Sequence, residues 1–263
     1  MSKNEIKYYS ALKQKKYRES EGLFLIEGNN LIEECLRSGI YRDLLTKIFV
    51  RNDYKDKEFL SAVSRANPLT EFITADHKGI NALSETVNSQ GIIGVVKINP
   101  HPEKNYAGNN KSRLIVLLES VNDPGNLGTI LRTCYWYGVD KVYLSEGSVD
   151  ILNSKVLRSS QGAVFHLNII TGIHTAKTAG EYHKNNFNVI LTDLNAEEYV
   201  SEIKFGSERD YLVIFGNESS GISKPILENK DYKRVRIKGF SECESLNLGV
   251  SAGILLDRIR NYR

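Results

Sequence analysis

The stretch LESVNDPGNLGTILRT, residues 118–133, decides how the fold is read. It closes an apolar run that opens at Leu114, passes through a turn punctuated by Pro124, Gly125 and Gly128, and becomes helical. Leu127, Ile130, Leu131 and Cys134 recur at intervals of three and four, which makes one apolar face for a helix to lay on a sheet. Strand, glycine turn and helix in this order form the repeating unit of a parallel α/β sheet. Arg132 lies six residues up the helix from Asn126, roughly 9 Å at about 1.5 Å per residue. Helical side chains lean toward the N-terminus, so its long guanidinium arm can reach back over the turn. Asn126 stands where a capping side chain is expected.

The same alternation continues downstream. Apolar runs at 114–118, 141–144, 189–192, 212–215 and 234–237 predict strands with helices between most of them. Several are apolar on consecutive residues, the pattern of a parallel sheet covered on both faces. Upstream, runs at 23–26, 47–50, 71–74 and 92–98 alternate with helical stretches such as NNLIEECLRSG and KEFLSAVSRAN. Between them NPHPEKNYAGNNKS, 99–112, loses apolar periodicity and gains Pro, Gly and Asn. The expected organisation is a small α/β domain over 1–98, a linker over 99–112 and a larger parallel-sheet domain over 113–263.

A chain of 263 residues buries enough apolar surface to need no covalent staples. Cys35, Cys134 and Cys243 lie far apart and form no CxxC pair, which favours a reducing, cytoplasmic setting. No apolar run approaches the roughly 20 residues of a membrane helix, and the N-terminus has no secretory pattern, so a soluble protein is expected. His77, His101, His166, His174 and His183 show no ligand spacing, and no metal is expected. The net charge of +3 permits a nucleic-acid partner without requiring one. Lys3, Lys7, Lys13, Lys15, Lys16 and Arg18, interleaved with Tyr8, Tyr9 and Tyr17, fit phosphates and bases as well as they fit a solvated helix face.

In open parallel sheets ligands bind beyond the carboxyl ends of the strands. Two further turns occupy such positions. VIFGNESSGIS, 213–223, brackets Asn217 and Glu218 between Gly216 and Gly221, which lets backbone approach a ligand and leaves one carboxylate at a strand end. ECESLNLGVSAGILLDRI, 242–259, opens a helix at Ser245 or Asn247, either of which could cap it. Gly249 and Gly253 inside that helix each cost about 1 kcal/mol against alanine, a sign of close packing against another backbone in this chain or in a second copy. GNLG in the first turn does not meet the GxGxxG pattern of a dinucleotide-binding oxidoreductase.

Together and in order, the three turns resemble the three signature motifs of the SpoU/TrmH family of RNA ribose 2′-O-methyltransferases, in the SPOUT superfamily. The first is similar through Asn126, Gly128 and Arg132, the second through Gly216, Asn217, Glu218 and Gly221, the third through Ser245, Leu246 and Asn247. VLRSSQGAVF, 156–165, resembles the family's R-x-S-x-G-A segment, and LFLIEGNNLIEECLRSG resembles the front substrate-binding domain of many members. The chain departs from the pattern at Gly249, where serine is frequent, and at Lys238-Gly239-Phe240, where a proline is frequent.

The resemblance implies a SPOUT catalytic domain with a C-terminal trefoil knot, a homodimer, S-adenosylmethionine as cofactor and structured RNA as partner, ribosomal RNA before transfer RNA. It implies a catalytic set of Arg132, Asn126, Glu218, Ser245 and Asn247, with Glu218 orienting Arg132 or a neighbouring loop. Thr192, Gly216, Asn217, Ile237 and Leu246 are implied as cofactor contacts. A non-catalytic RNA-binding protein on the same fold is the alternative.

Overall fold

The computed structural model describes residues 1–99 and 112–261, so nearly all of the expected linker lies outside the described residues. The elements run α1 (Lys3–Ala11), α2 (Lys15–Glu21), β1 (Leu23–Glu27), α3 (Asn29–Arg37), β2 (Leu45–Arg51), α4 (Lys57–Ala66), β3 (Glu71–Ala75), α5 (His77–Leu83) and β4 (Ile92–Lys97). They continue as β5 (Leu114–Leu118), α6 (Pro124–Trp136), β6 (Lys141–Ser145), α7 (Ser154–Ser159), β7 (Ile169–Ile173) and α8 (Thr175–Lys184). The last are β8 (Asn188–Thr192), β9 (Glu198–Tyr199), β10 (Tyr211–Phe215), α9 (Lys224–Leu227), β11 (Lys233–Arg236) and α10 (Leu248–Asn261). Two compact units form, and they do not follow chain order: residues 1–99 cluster with Asp150–His166, and 112–149 with the rest.

In the first unit the strand order is β1-β4-β2-β3, with β4 antiparallel to both neighbours and β2 parallel to β3. Tyr9, Leu12, Phe49, Ile80, Leu83, Ile93 and Val95 form one apolar core. Part of the N-terminal basic cluster is structural, while Lys3, Lys7, Lys15 and Lys16 stay exposed. Arg18 is buried, donates to the carbonyls of Leu12 and Lys13 at 3.0 and 2.8 Å, and pairs with Asp150. Lys13 Nζ donates to Ser84 O at 2.7 Å, and Tyr9 lies in the core.

The R-x-S-x-G-A segment also belongs here. Gly162 adopts φ +80°, and a Cβ on it would stand 2.5 Å from Cβ of Glu34 in α3. Glycine is therefore required twice over, by backbone conformation and by contact. Ser38 Oγ donates to Phe165 O at 2.8 Å, and the His166 ring bonds the Glu34 carboxylate at 2.8 Å.

The second unit is a seven-stranded sheet, β7-β6-β5-β10-β8-β11-β9, parallel throughout. All five residues of β5 and all five of β10 are buried, as a central strand covered on both faces requires. β7 and β9 escape the sequence reading because they are edges: β7 keeps one buried residue, and β9 is two residues long. The first crossover carries the chain outward through β6 to β7, and later strands return to the other side of β5. Because every strand is parallel, the loops after β5, β10, β8 and β11 all leave from one edge of the sheet.

Helix α10 packs on α6 in the same chain. A Cβ at Gly249 would sit 2.8 Å from Cγ2 of Thr129, and one at Gly253 would touch Cγ2 of Thr133 at 4.0 Å. The close packing read from the two glycines is thus intramolecular, and it is tight only at Gly249.

Candidate active site

The first turn is built by Asp123, which the sequence reading passed over. Its carboxylate accepts from the Asn126 N–H at 2.7 Å, and Pro124 occupies the first helical turn, where a missing N–H costs nothing. Asp123 rather than Asn126 caps α6, at a typical worth of about 1 kcal/mol. The Asn126 side chain is thereby released for another task. Asp-Pro before an apolar helical stripe was the signal that could have shown this.

The second turn closes on itself. Asn217 and Gly221 exchange two backbone hydrogen bonds of 3.0 Å, and a Cβ on Gly216 would meet the Gly221 backbone at 2.3 Å. Asn217 Oδ1 accepts from the N–H groups of Ser219 and Ser220, and its Nδ2 donates to Ser120 O at 2.7 Å. Ser120 holds φ +52° just beyond β5. Its N–H donates to Ser145 Oγ at 2.8 Å. Glu119 accepts from the N–H and hydroxyl of Ser223 at 2.9 and 2.8 Å. These bonds tie the first turn to the second, the arrangement expected of two loops leaving neighbouring parallel strands.

In the third turn Asn247 caps α10: its Oδ1 accepts from the N–H groups of Gly249 and Val250 at 2.9 and 3.3 Å. Ser245 is exposed and does not cap. Its carbonyl accepts from the exposed Cys243 thiol at 3.3 Å.

Asn126 joins the three turns. It donates Nδ2 to Glu218 at 3.1 Å and accepts from Asn247 Nδ2 at 2.7 Å. The polarity of this chain is forced at both ends. A carboxylate only accepts, so Asn126 must turn its NH2 to Glu218 and its carbonyl to Asn247; Asn247 then donates its NH2 and keeps its carbonyl for the helix. The backbone N–H groups of Asn122 and Asp123 also point at Glu218, at 3.5 and 3.4 Å. Glu218 is exposed and Asn126 partly so, which leaves the cluster open to a ligand.

Of the two roles expected of Glu218, orienting Arg132 or a neighbouring loop, its contacts within this chain are with the loop. Its carboxylate is committed to Asn126 and the first turn, and Arg132 is exposed with no hydrogen bond among the described residues. Arg132 shares the outer face of α6 with Tyr135 and Trp136, which are 48% and 83% exposed. Thr192 stands at the end of β8 with its hydroxyl donated to Ile214 O at 3.1 Å, which leaves its backbone and the hydroxyl's acceptor lone pairs for a ligand. Ile237 and Leu246 flank the loop between β11 and α10, Leu246 being 48% exposed. Among the described residues no group of His, Cys, Asp and Glu could hold a metal ion, and no helix is long and apolar enough to cross a membrane.

Residues 113–257 match the SpoU rRNA methylase family, and 3–94 match an MRM3-like substrate-binding domain. The chain is 32% identical to the 23S rRNA (guanosine(2553)-2′-O)-methyltransferase RlmP of Bacillus subtilis, over 98% of this chain and 97% of that one. The structure of an AdoMet-bound rRNA methyltransferase from Sinorhizobium meliloti superposes with a TM-score of 0.80 at 25% identity, covering 98% and 94% of the two chains. The SpoU methyltransferase AviRb of Streptomyces viridochromogenes shares the fold, with a TM-score of 0.84 at 21% identity over 98% and 97%. The three turns that meet at Asn126 lie inside the matched segment, and this chain belongs to the SpoU rRNA methylase family.

Proposed function

We propose that this protein methylates a ribose 2′-hydroxyl of ribosomal RNA, with S-adenosylmethionine as donor. The observation that carries this reading is the Asn247–Asn126–Glu218 chain, which draws the three motif turns into one cluster at the carboxyl edge of the sheet. We read the first domain, 1–98, as RNA-binding and the second, 113–263, as catalytic, working in the cytoplasm.

The loops after β8, β10 and β11 fit the cofactor. Leu194 and Leu246, 61% and 48% exposed, offer apolar surface, and Ile237 lies on the same loop as Leu246. Exposed apolar side chains beside open backbone suit a flat, partly polar adenosyl group. Gly216 and Asn217 hold the middle loop in shape. When bound, the cofactor supplies an electrophilic methyl group. What the chain must add is alignment, because holding two reactants in attack geometry contributes about 7–11 kcal/mol.

Arg132 is a poor proton acceptor, because a guanidinium stays protonated in proteins. Its role here is electrostatic: the planar fork grips the phosphate beside the target ribose, and its charge favours the alkoxide that forms as the hydroxyl loses its proton. Asn126 and Asn247 hold the turns at fixed spacing, Glu218 positions Asn126, and Ser245, on the open third loop, faces the hydroxyl.

The protein acts as a homodimer through the outer face of α6 and α10. Tyr135, Trp136 and Val250, all at least 48% exposed, leave apolar surface there for a second copy to cover, beside Arg132. The trefoil knot has support in the strand order. The chain leaves β8, crosses β11 to pair as β9, and returns to β10 on the far side of β8. In the knot we propose, segment 193–210 is the loop and the continuation from β11 into α10 is the part threaded through it.

The test is transfer of labelled methyl to ribosomal RNA from cells lacking the protein. Wild type should label one ribose. Arg132→Lys keeps the charge and loses the fork, so turnover should fall about 10²-fold or more, in the range of one lost transition-state donor. Wild-type turnover in that variant would remove the phosphate-fork role. Absence of S-adenosylmethionine binding by calorimetry, with RNA binding retained, would favour the non-catalytic alternative.

A further inference from the structure

The loop between β11 and α10 carries a side chain that the cofactor does not explain. Phe240 is 90% exposed, as far into water as any large aromatic ring of the described residues. Leaving a phenyl ring so exposed forgoes roughly 2–3 kcal/mol of burial. It stands at the end of a row in which cations and rings alternate. The Arg236 guanidinium lies 4.6 Å from the Tyr199 ring and donates to its hydroxyl at 2.9 Å. Lys238 Nζ lies 5.3 Å from the Tyr199 ring and 5.6 Å from the Phe240 ring.

Neither cation is matched by a carboxylate. No ion pair of Arg236 or Lys238 exists among the described residues, and Arg236 Nε is buried without a hydrogen-bond partner. Glu242 and Glu244 follow in the same loop and make no ion pair with the row. Tyr199 locks Arg236 by a hydrogen bond and both cations by ring contact, so the charge is held in place at little further entropic cost. The same loop runs on to Leu246 and Asn247, so the row and the proposed reaction centre share one segment of chain.

An exposed ring at the end of a row of cations that make no ion pair among the described residues is the chemistry of a platform for unpaired nucleotides: the base stacks on the ring and the phosphates meet the charges. A second copy of this chain, with its own net charge of +3, is the poorer complement. We propose that Phe240 stacks on a base of an unpaired RNA nucleotide next to the one that is methylated, with Lys238 and Arg236 on the adjoining phosphates. This rests on the reading of the site as an rRNA 2′-O-methyltransferase.

The experiment compares full-length wild type, Phe240→Ala, Phe240→Trp and Lys238→Ala. It uses ribosomal RNA from cells lacking the protein, by filter binding without cofactor and then by methyl transfer. Phe240→Ala should weaken RNA binding about 5- to 150-fold, the range of one lost stacking contact. KM for RNA should rise in step, with S-adenosylmethionine affinity and urea midpoint unchanged. Phe240→Trp should keep wild-type binding, and Lys238→Ala should lower the salt dependence of binding by about one ion. Unchanged RNA binding in Phe240→Ala, or a tryptophan variant as weak as alanine, overturns the proposal. So does a shift of Phe240→Ala from dimer to monomer, which would assign the ring to a subunit contact. If wild type binds RNA through Phe240 yet transfers no methyl, the stacking role stands and the reading of the enzyme falls.

Discussion

Asn126 shows how one side chain can carry a site without performing chemistry. Because Asp123 caps the helix, the Asn126 amide is free to accept from Asn247 and donate to Glu218. Asn126→Asp is nearly isosteric and reverses the second of these bonds, placing two carboxylates about 3 Å apart. At an effective dielectric between 20 and 80 that repulsion amounts to roughly 1–5 kcal/mol, more than the 0.5–1.5 kcal/mol of an ordinary hydrogen bond. The turns should separate, and methyl transfer should fall at least tenfold at pH 8 while the global urea midpoint moves little. Two carboxylates so close share a proton readily, so the deficit should narrow as pH is lowered toward about 5. A deficit that widened in acid would show that the charge pair is not the cause. Asn126 was legible in the sequence as a residue of interest. Its partners were not, because a hydrogen bond between positions 121 residues apart leaves no local pattern.

At the level of elements, the central strands were read well because a buried parallel strand is apolar on consecutive residues, as in β5 and β10. Edges lack that pattern, which hid β7 and β9. The affiliation of Asp150–His166 with the first unit was equally hidden, since it depends on contacts such as Gly162 against Glu34 rather than on composition. The α6–α10 contact was half legible: two glycines announced a close approach but not the partner. Gly249 and Thr129 form a matched pair there. Alanine at 249 gains about 1 kcal/mol of helix propensity. Against this, its Cβ would lie 2.8 Å from Thr129 Cγ2 and 3.2 Å from the side-chain Oδ1 of Asn247. Overpacking of this kind costs about 1–3 kcal/mol, so the clash should win and Gly249→Ala should destabilise. Thr129→Ser removes the offending methyl and can keep the hydroxyl bond to Gly125 O. In that background the penalty should shrink by 0.5 kcal/mol or more, measured by urea unfolding of the four-member cycle. Strict additivity would mean that Gly249 is needed for Asn247 and not for Thr129.

For the molecule as a whole, the open question of assembly concentrates on one helix face. Arg132, Tyr135 and Trp136 lie within five residues of each other on α6, all exposed, and Val250 of α10 is half exposed. A tryptophan left 83% in water on the helix that also bears Arg132, the cation of the first motif, is best covered by a second copy. Stable interfaces bury about 1,200–2,000 Å² in total, with aromatic side chains as their anchors, so one charge at the centre of such a patch should be decisive. Trp136→Lys should turn a dimer into a monomer by light scattering, while far-UV circular dichroism stays unchanged because the side chain packs on little else. Arg132 has no hydrogen-bond or ion-pair partner among the described residues, so methyl transfer should fall with the dimer, by tenfold or more, and wild-type specific activity should decline on dilution through the same transition. A monomeric Trp136→Lys protein with full activity would show that one copy holds a complete site and that Arg132 reaches the RNA unaided. A wild type that is monomeric at working concentration would remove the dimer altogether.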